Sequence, residues 1–209
     1  MISNGLSSAL RAVTSTLLSP VVIILLALIV IAIILVGTLI IEAVVERRHL
    51  KVKMSKLVND IESDEKNLEE TIKNSGLLKK HKALLLELAA QKNLNDVMRE
   101  SLAARLLSEA QGKYSRIIKV SDMIAKLGPM LGLMGTLIPL GPGIIALGQG
   151  DTLTLSESLL TAFDTTVAGL VCAAVALVVS AIRKSWYSNY MSLLEASVEC
   201  VIEKESNNG

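Results

Sequence analysis

The chain has 209 residues, 51% of them hydrophobic, with one Trp, three Tyr, one Phe and a formal net charge of +1. Its mean hydropathy of +0.53 excludes an ordinary soluble enzyme of this length. The near-neutral balance excludes a nucleic-acid binder, which carries a basic surplus on one face.

Residues 1–16 read as an outer N-terminal segment and 17–44 as a first transmembrane helix. No charge occurs from residue 12 to residue 41, and about 20 apolar residues suffice to cross a bilayer core of about 30 Å. A cleaved leader would have a basic start, a shorter apolar stretch and a small-residue cleavage site. This run continues through LLSPVVIILLALIVIAIILVGTLII, so it is expected to stay in the mature chain.

Residues 45–121 read as a cytoplasmic helical hairpin. Leu50, Met54, Leu57, Ile61, Leu68 and Ile72 fall at helical steps on one stripe, and Asn74, Ser75 and Gly76 break it. A second helical stretch from Leu84 to Ile117 is expected to continue into the next span. His49 and His81 stand among lysines and are expected to be plain surface residues.

The second transmembrane helix is expected over 122–148. Gly128, Gly132, Gly135, Pro139 and Gly143 share one arc, with Thr136 at its edge, and such an arc lets another backbone come close. Pro139 and Pro142 are expected to kink the helix or end its regular part. After a short outer loop, 149–156, a third transmembrane helix is expected over 157–182. Ser158, Thr161, Asp164, Thr165, Ala168 and Cys172 gather there on one polar stripe. An ionised carboxylate in a bilayer costs about 2.5–3.5 kcal/mol even on a lenient scale. Asp164 is therefore expected to face a bundle interior, a partner or water, or to snorkel to the outer interface from about 10 Å below it.

Residues 183–209 read as a cytoplasmic C-terminal helix, with Trp186, Tyr187 and Tyr190 expected at headgroup level. Lys and Arg set the orientation. Arg47, Arg48, Lys51, Lys53 and Lys56 follow the first span, Lys113, Arg116, Lys119 and Lys126 precede or open the second, and Arg183 and Lys184 follow the third. The N-terminal segment has only Arg11 and residues 141–157 have neither Lys nor Arg, which places the N-terminus outside and the C-terminus in the cytoplasm. Cys172 and Cys200 are too far apart in register for a disulfide, and no phosphate loop, nucleophilic set or metal-ligand spacing occurs. No enzyme and no cofactor are expected.

LGPMLGLMGT (127–136) and AFDTTVAGL (162–170), with the order of one span, a large helical insertion and two more spans, resemble the MotA/TolQ/ExbB proton channel family, in its ExbB/TolQ-like branch. The resemblance implies an all-α inner-membrane protein that assembles as a ring, pentameric in the better-known branches, around the single spans of an ExbD/TolR/MotB-like partner. Its function would be to couple a proton or sodium current, driven by the proton-motive force, to movement of that partner. The family's pore threonines fall on Thr136 and Thr166, whereas the polar stripe selects Thr165, about 100° away. The acid of the ExbB/TolQ branch falls on Thr161, and this chain has Asp164 instead. Thr136, Thr161, Asp164, Thr165 and Thr166 are thus the candidate ion-pathway residues, and Gly128, Gly132, Gly135 and Gly169 the candidate packing residues. The alternative is a structural membrane scaffold that recruits a partner through its cytoplasmic helices. It predicts that Asp164→Asn and Thr136→Ala are harmless.

Overall fold

A computed structural model describes residues 2–45, 72, 77, 79–91 and 96–207. Its helices are α1 (Ile2–Val45), α2 (Lys79–Ala90), α3 (Asp96–Gly148) and α4 (Thr152–Asn207), with no strand among the described residues. Three of them, α1, α3 and α4, contain stretches long and apolar enough to cross a membrane. The chain is an all-α, multi-pass membrane protein. His49 and the stripe from Leu50 to Leu68, with its breaking residues Asn74, Ser75 and Gly76, lie outside the described residues.

The helix expected to run unbroken from Leu84 to Ile117 is two helices, since α2 ends at Ala90 and α3 begins at Asp96. Apolar spacing is similar on both sides of the break, so periodicity alone does not reveal it.

Contacts divide the chain into two compact units, one of residues 1–38 and 119–181, the other of 39–118 and 182–209. In the first, α1 buries Val21, Leu25, Leu28, Ala32 and Leu35 at steps of three and four. Val21 and Leu25 pack on Ile138 of α3, with Leu18 and Leu131 beside them. Ile23, Leu26, Val30, Ile33 and Ile34 on the rest of α1 are exposed, as suits a helix with lipid around it.

Of the two outcomes expected at Pro139 and Pro142, a kink or an end to the regular helix, the end does not occur. α3 passes through both, and through Pro129, to Gly148. Each proline removes only one N–H, so the carbonyls of Ala125, Gly135 and Ile138 lose their helical donors while the neighbouring bonds persist. What ends α3 is Gly150, at φ +78°, a conformation that a Cβ disfavours. Gly150 N donates to Leu147 O at 3.1 Å and Asp151 N to Ala146 O at 2.9 Å, the paired bonds of a Schellman stop. Asp151 then opens α4: its Oδ1 accepts from Thr154 N at 3.1 Å and its Oδ2 from Thr154 Oγ1 at 2.5 Å.

The second unit has its own core, where Leu85, Leu88 and Ala89 of α2 meet Ala103 and Leu106 of α3 and Leu194, Val198 and Val201 of α4. His81 is not a surface residue, as its lysine neighbours suggested, but is 2% exposed. It shares the face of Leu85 and Leu88, and Lys82 falls at another angle. Its Nε2 lies 3.0 Å from the Tyr114 hydroxyl. Tyr187 and Tyr190, expected among headgroups, are buried against the half-buried Tyr114, the Tyr114 and Tyr187 rings 4.4 Å apart. In the same unit Arg183 Nε donates to Glu42 Oε2 at 3.1 Å, both side chains largely buried.

Candidate functional site

The candidate residues lie on α3 and α4 within the first unit, and glycine dictates how these two helices meet. A Cβ at Gly128 would stand 2.5 Å from the carbonyl oxygen of Gly169, and one at Gly169 would strike the carbonyl of Gly128. Gly132 lies against the backbone of Thr165 and Thr166, Gly135 against the Thr165 side chain, and Gly143 against Ser158. As numbers rise along α3 they fall along α4, so the pair is antiparallel. The arc of small residues is therefore a closed seam, the close packing that small side chains permit. Between α3 and α4 of one chain there is direct backbone contact along this seam, not a path.

Thr165 belongs to that seam. It is 7% exposed, and its hydroxyl donates to the carbonyls of Thr161 and Ala162 on its own helix, at 2.9 and 3.1 Å. Each step forward on a helix turns the side chain by about 100°. In an antiparallel pair, one step forward from a seam residue reaches the same flank on both helices. Thr136 follows Gly135 and Thr166 follows Thr165, so these two half-buried threonines share one flank, about one helical turn apart in height.

Asp164 precedes Thr165 and falls on the opposite flank. That is also where α1 lies, since its contacts Leu131 and Ile138 stand backward of Gly135 by about 40° and 60°. Asp164 is exposed and borders an open groove of about 580 Å³ whose walls include Ile29, Ala32, Ile33 and Val36 of α1 and Phe163, Val167 and Val171 of α4. The polar stripe read from the sequence is thus split. Thr165 and Cys172 are buried, Asp164 faces the groove beside α1, and half-buried Thr161 donates to Glu157 O at 3.0 Å. A period of 3.6 residues places side chains within a broad arc, and a seam narrower than that arc divides it.

The two flanking threonines also spend their hydrogens locally. Thr136 Oγ1 donates to Leu133 O at 2.7 Å and Thr166 Oγ1 to Ala162 O at 2.9 Å. A hydroxyl whose hydrogen is so engaged presents oxygen lone pairs outward, which suits a hydronium, a metal cation or a protonated carboxyl. Among the described residues no group of three His, Cys, Asp or Glu could hold a metal ion.

The sequence reading passed over Asp122 and Ser180. Ser180 Oγ donates to Asp122 Oδ1 at 2.5 Å, across from α4 to α3. The signal was present: Asp122 precedes Thr136 by fourteen positions and Ser180 follows Thr166 by fourteen, which returns each to within about 40° of its threonine.

The family model described as the MotA/TolQ/ExbB proton channel family matches residues 42–196, well over half of the chain and all of the α3–α4 seam, while most of α1 precedes the match. No curated protein matches the chain.

Proposed function

The chain belongs to the MotA/TolQ/ExbB proton channel family, and from that premise we propose that it is the ring subunit of a motor driven by the proton-motive force. Several copies, five in the simplest ring, surround the single span of an ExbD/TolR/MotB-like partner in the cytoplasmic membrane. The N-terminus is outside and the C-terminus in the cytoplasm, in accord with the basic residues that flank each span on one side only. The flank carrying Thr136 and Thr166 faces the ring axis, and a proton, or a sodium ion, passes between these hydroxyls and a carboxylate of the partner. Each passage changes the charge on the partner's helix, and a neutral and a charged helix prefer different positions in the ring. One charge crossing 100 mV supplies about 2.3 kcal/mol to bias that step.

The observation that carries this reading is the common flank of Thr136 and Thr166, with their lone pairs turned outward. A conducting route needs the antiparallel seams closed and the flanks apposed between copies, which one chain cannot supply. Thr161 and Asp164 lie off that flank and are assigned to the access side of the route.

The test uses the tagged full chain isolated with its partner from its own host and reconstituted in vesicles. Proton uptake is followed with an internal pH dye under an imposed potassium diffusion potential. Thr136→Val and Thr166→Val keep the shape and lose the oxygen. A hydrogen bond to a charged group is worth about 1.5–3 kcal/mol, so each is expected to lower the flux about ten- to hundredfold. Unchanged flux in both variants overturns the reading, as the scaffold alternative requires.

A further inference from the structure

The flank that holds Thr136 and Thr166 does not end with them. Fourteen positions toward the basic end of each helix stand Asp122 on α3 and Ser180 on α4, about 21 Å along the axis by helical rise. The two meet, Ser180 Oγ donating to Asp122 Oδ1 at 2.5 Å. Between the threonines and this pair, Pro129 lies inside α3 and denies the carbonyl of Ala125 its helical donor, about 60° from the seam on the same side. Beside Asp122, Ser121 is 0% exposed, and its Oγ has no hydrogen-bond partner, a hydrogen-bonding group that the chain itself leaves unsatisfied. Oxygen atoms thus recur along one flank at Thr136, Thr166, Ala125 and Asp122, with buried Ser121 at its edge toward the seam.

We infer that Asp122, seated by Ser180, is a second protonatable station of the route, the carboxylate that receives the proton after the threonine pair and releases it at the basic end. The inference rests on the proposed channel function and extends it. The balance is simple. The Asp122 carboxylate forms an O–H bond with the arriving proton and breaks it again to water, with no oxidant, reductant or other co-reactant. Ser180 does not carry the proton. It holds the carboxylate against α4 so that the group stays on the flank.

The same reconstituted complex tests this. In Asp122→Asn the amide oxygen still accepts the Ser180 hydrogen bond, while the protonatable oxygen is gone. A positioned proton-transfer group contributes about a hundredfold or more, and Asp122→Asn is expected to lower the flux by that order in a complex that still assembles. Asp122→Glu restores most of it. Ser180→Ala lowers the flux and Ser180→Thr, which keeps the hydroxyl, recovers it. Wild-type flux in assembled Asp122→Asn overturns the inference. Should that variant fail to assemble, Ser180→Ala decides: wild-type flux overturns it, and reduced flux rescued by Ser180→Thr supports it. The channel reading fails separately, through Thr136→Val and Thr166→Val, whatever Asp122 does.

Discussion

At the scale of single residues, the same residue type has opposite meanings at different points of this chain. Gly128, Gly135 and Gly169 stand where a Cβ would collide with backbone or with a threonine, whereas a Cβ at Gly37 meets no heavy atom within 4 Å. A methyl group at Gly37 relieves the entropic penalty of glycine in a helix, so Gly37→Ala is expected to leave stability unchanged or raise it by up to about 1 kcal/mol. At Gly128 or Gly169 the collision is with a carbonyl oxygen, which cannot swing aside as a side-chain end can. Alanine there must push α3 and α4 apart, and an overpacking cost of about 1–3 kcal/mol follows. Thermal unfolding of the purified variants in one detergent checks the contrast. Equal melting temperatures for Gly37→Ala and Gly128→Ala would contradict the seam.

At the scale of elements, the turn between α3 and α4 couples a stop to a start. The bonds from the side chain and backbone of Thr154 hold the Asp151 carboxyl below its ordinary value. A depressed folded-state value means that the cap is complete at and above the usual aspartate range and is lost only as the pH falls beneath it. Amide exchange at Thr154 in the full chain is expected to stay protected from neutral pH to about pH 4 and to open below that. In Asp151→Asn this acid limb disappears. The turn also shows what a sequence discloses. Gly150 and Asp151 are local signals, as are the charge-free runs that mark the three spans, because length and composition alone decide whether a helix crosses lipid. The burial of His81 and of Thr165 is set by neighbours far along the chain. Periodicity gives an angle around one helix, and only the position of the opposing glycines tells which side of that angle is seam and which is flank.

At the scale of the whole molecule, the functional reading depends on which flank of the α3–α4 pair is wet in the assembled membrane. Both the threonine flank and the α1 flank expose apolar side chains, Leu133, Leu170 and Leu177 on one and Ile33, Phe163 and Val167 on the other or beside it. Hydropathy therefore does not distinguish a pore wall from a lipid-facing wall, and chemistry must. A thiol reacts as its thiolate, which forms only where water reaches it. In the full chain carrying Cys172→Ser and Cys200→Ser, assembled with its partner in native membranes, Thr136→Cys and Thr166→Cys are expected to react with a charged, membrane-impermeant thiosulfonate. Ile34→Cys, exposed on α1 away from the groove, is expected to remain unmodified under the same treatment. Asp164→Cys reports on the groove beside α1: modification there marks an aqueous access path leading toward the route, and protection marks a groove filled by lipid. Reaction at Ile34→Cys with protection at both threonine positions would turn the ring inside out, with α1 at the axis and the seam pair facing lipid, and the motor proposed for this chain would need a different pore.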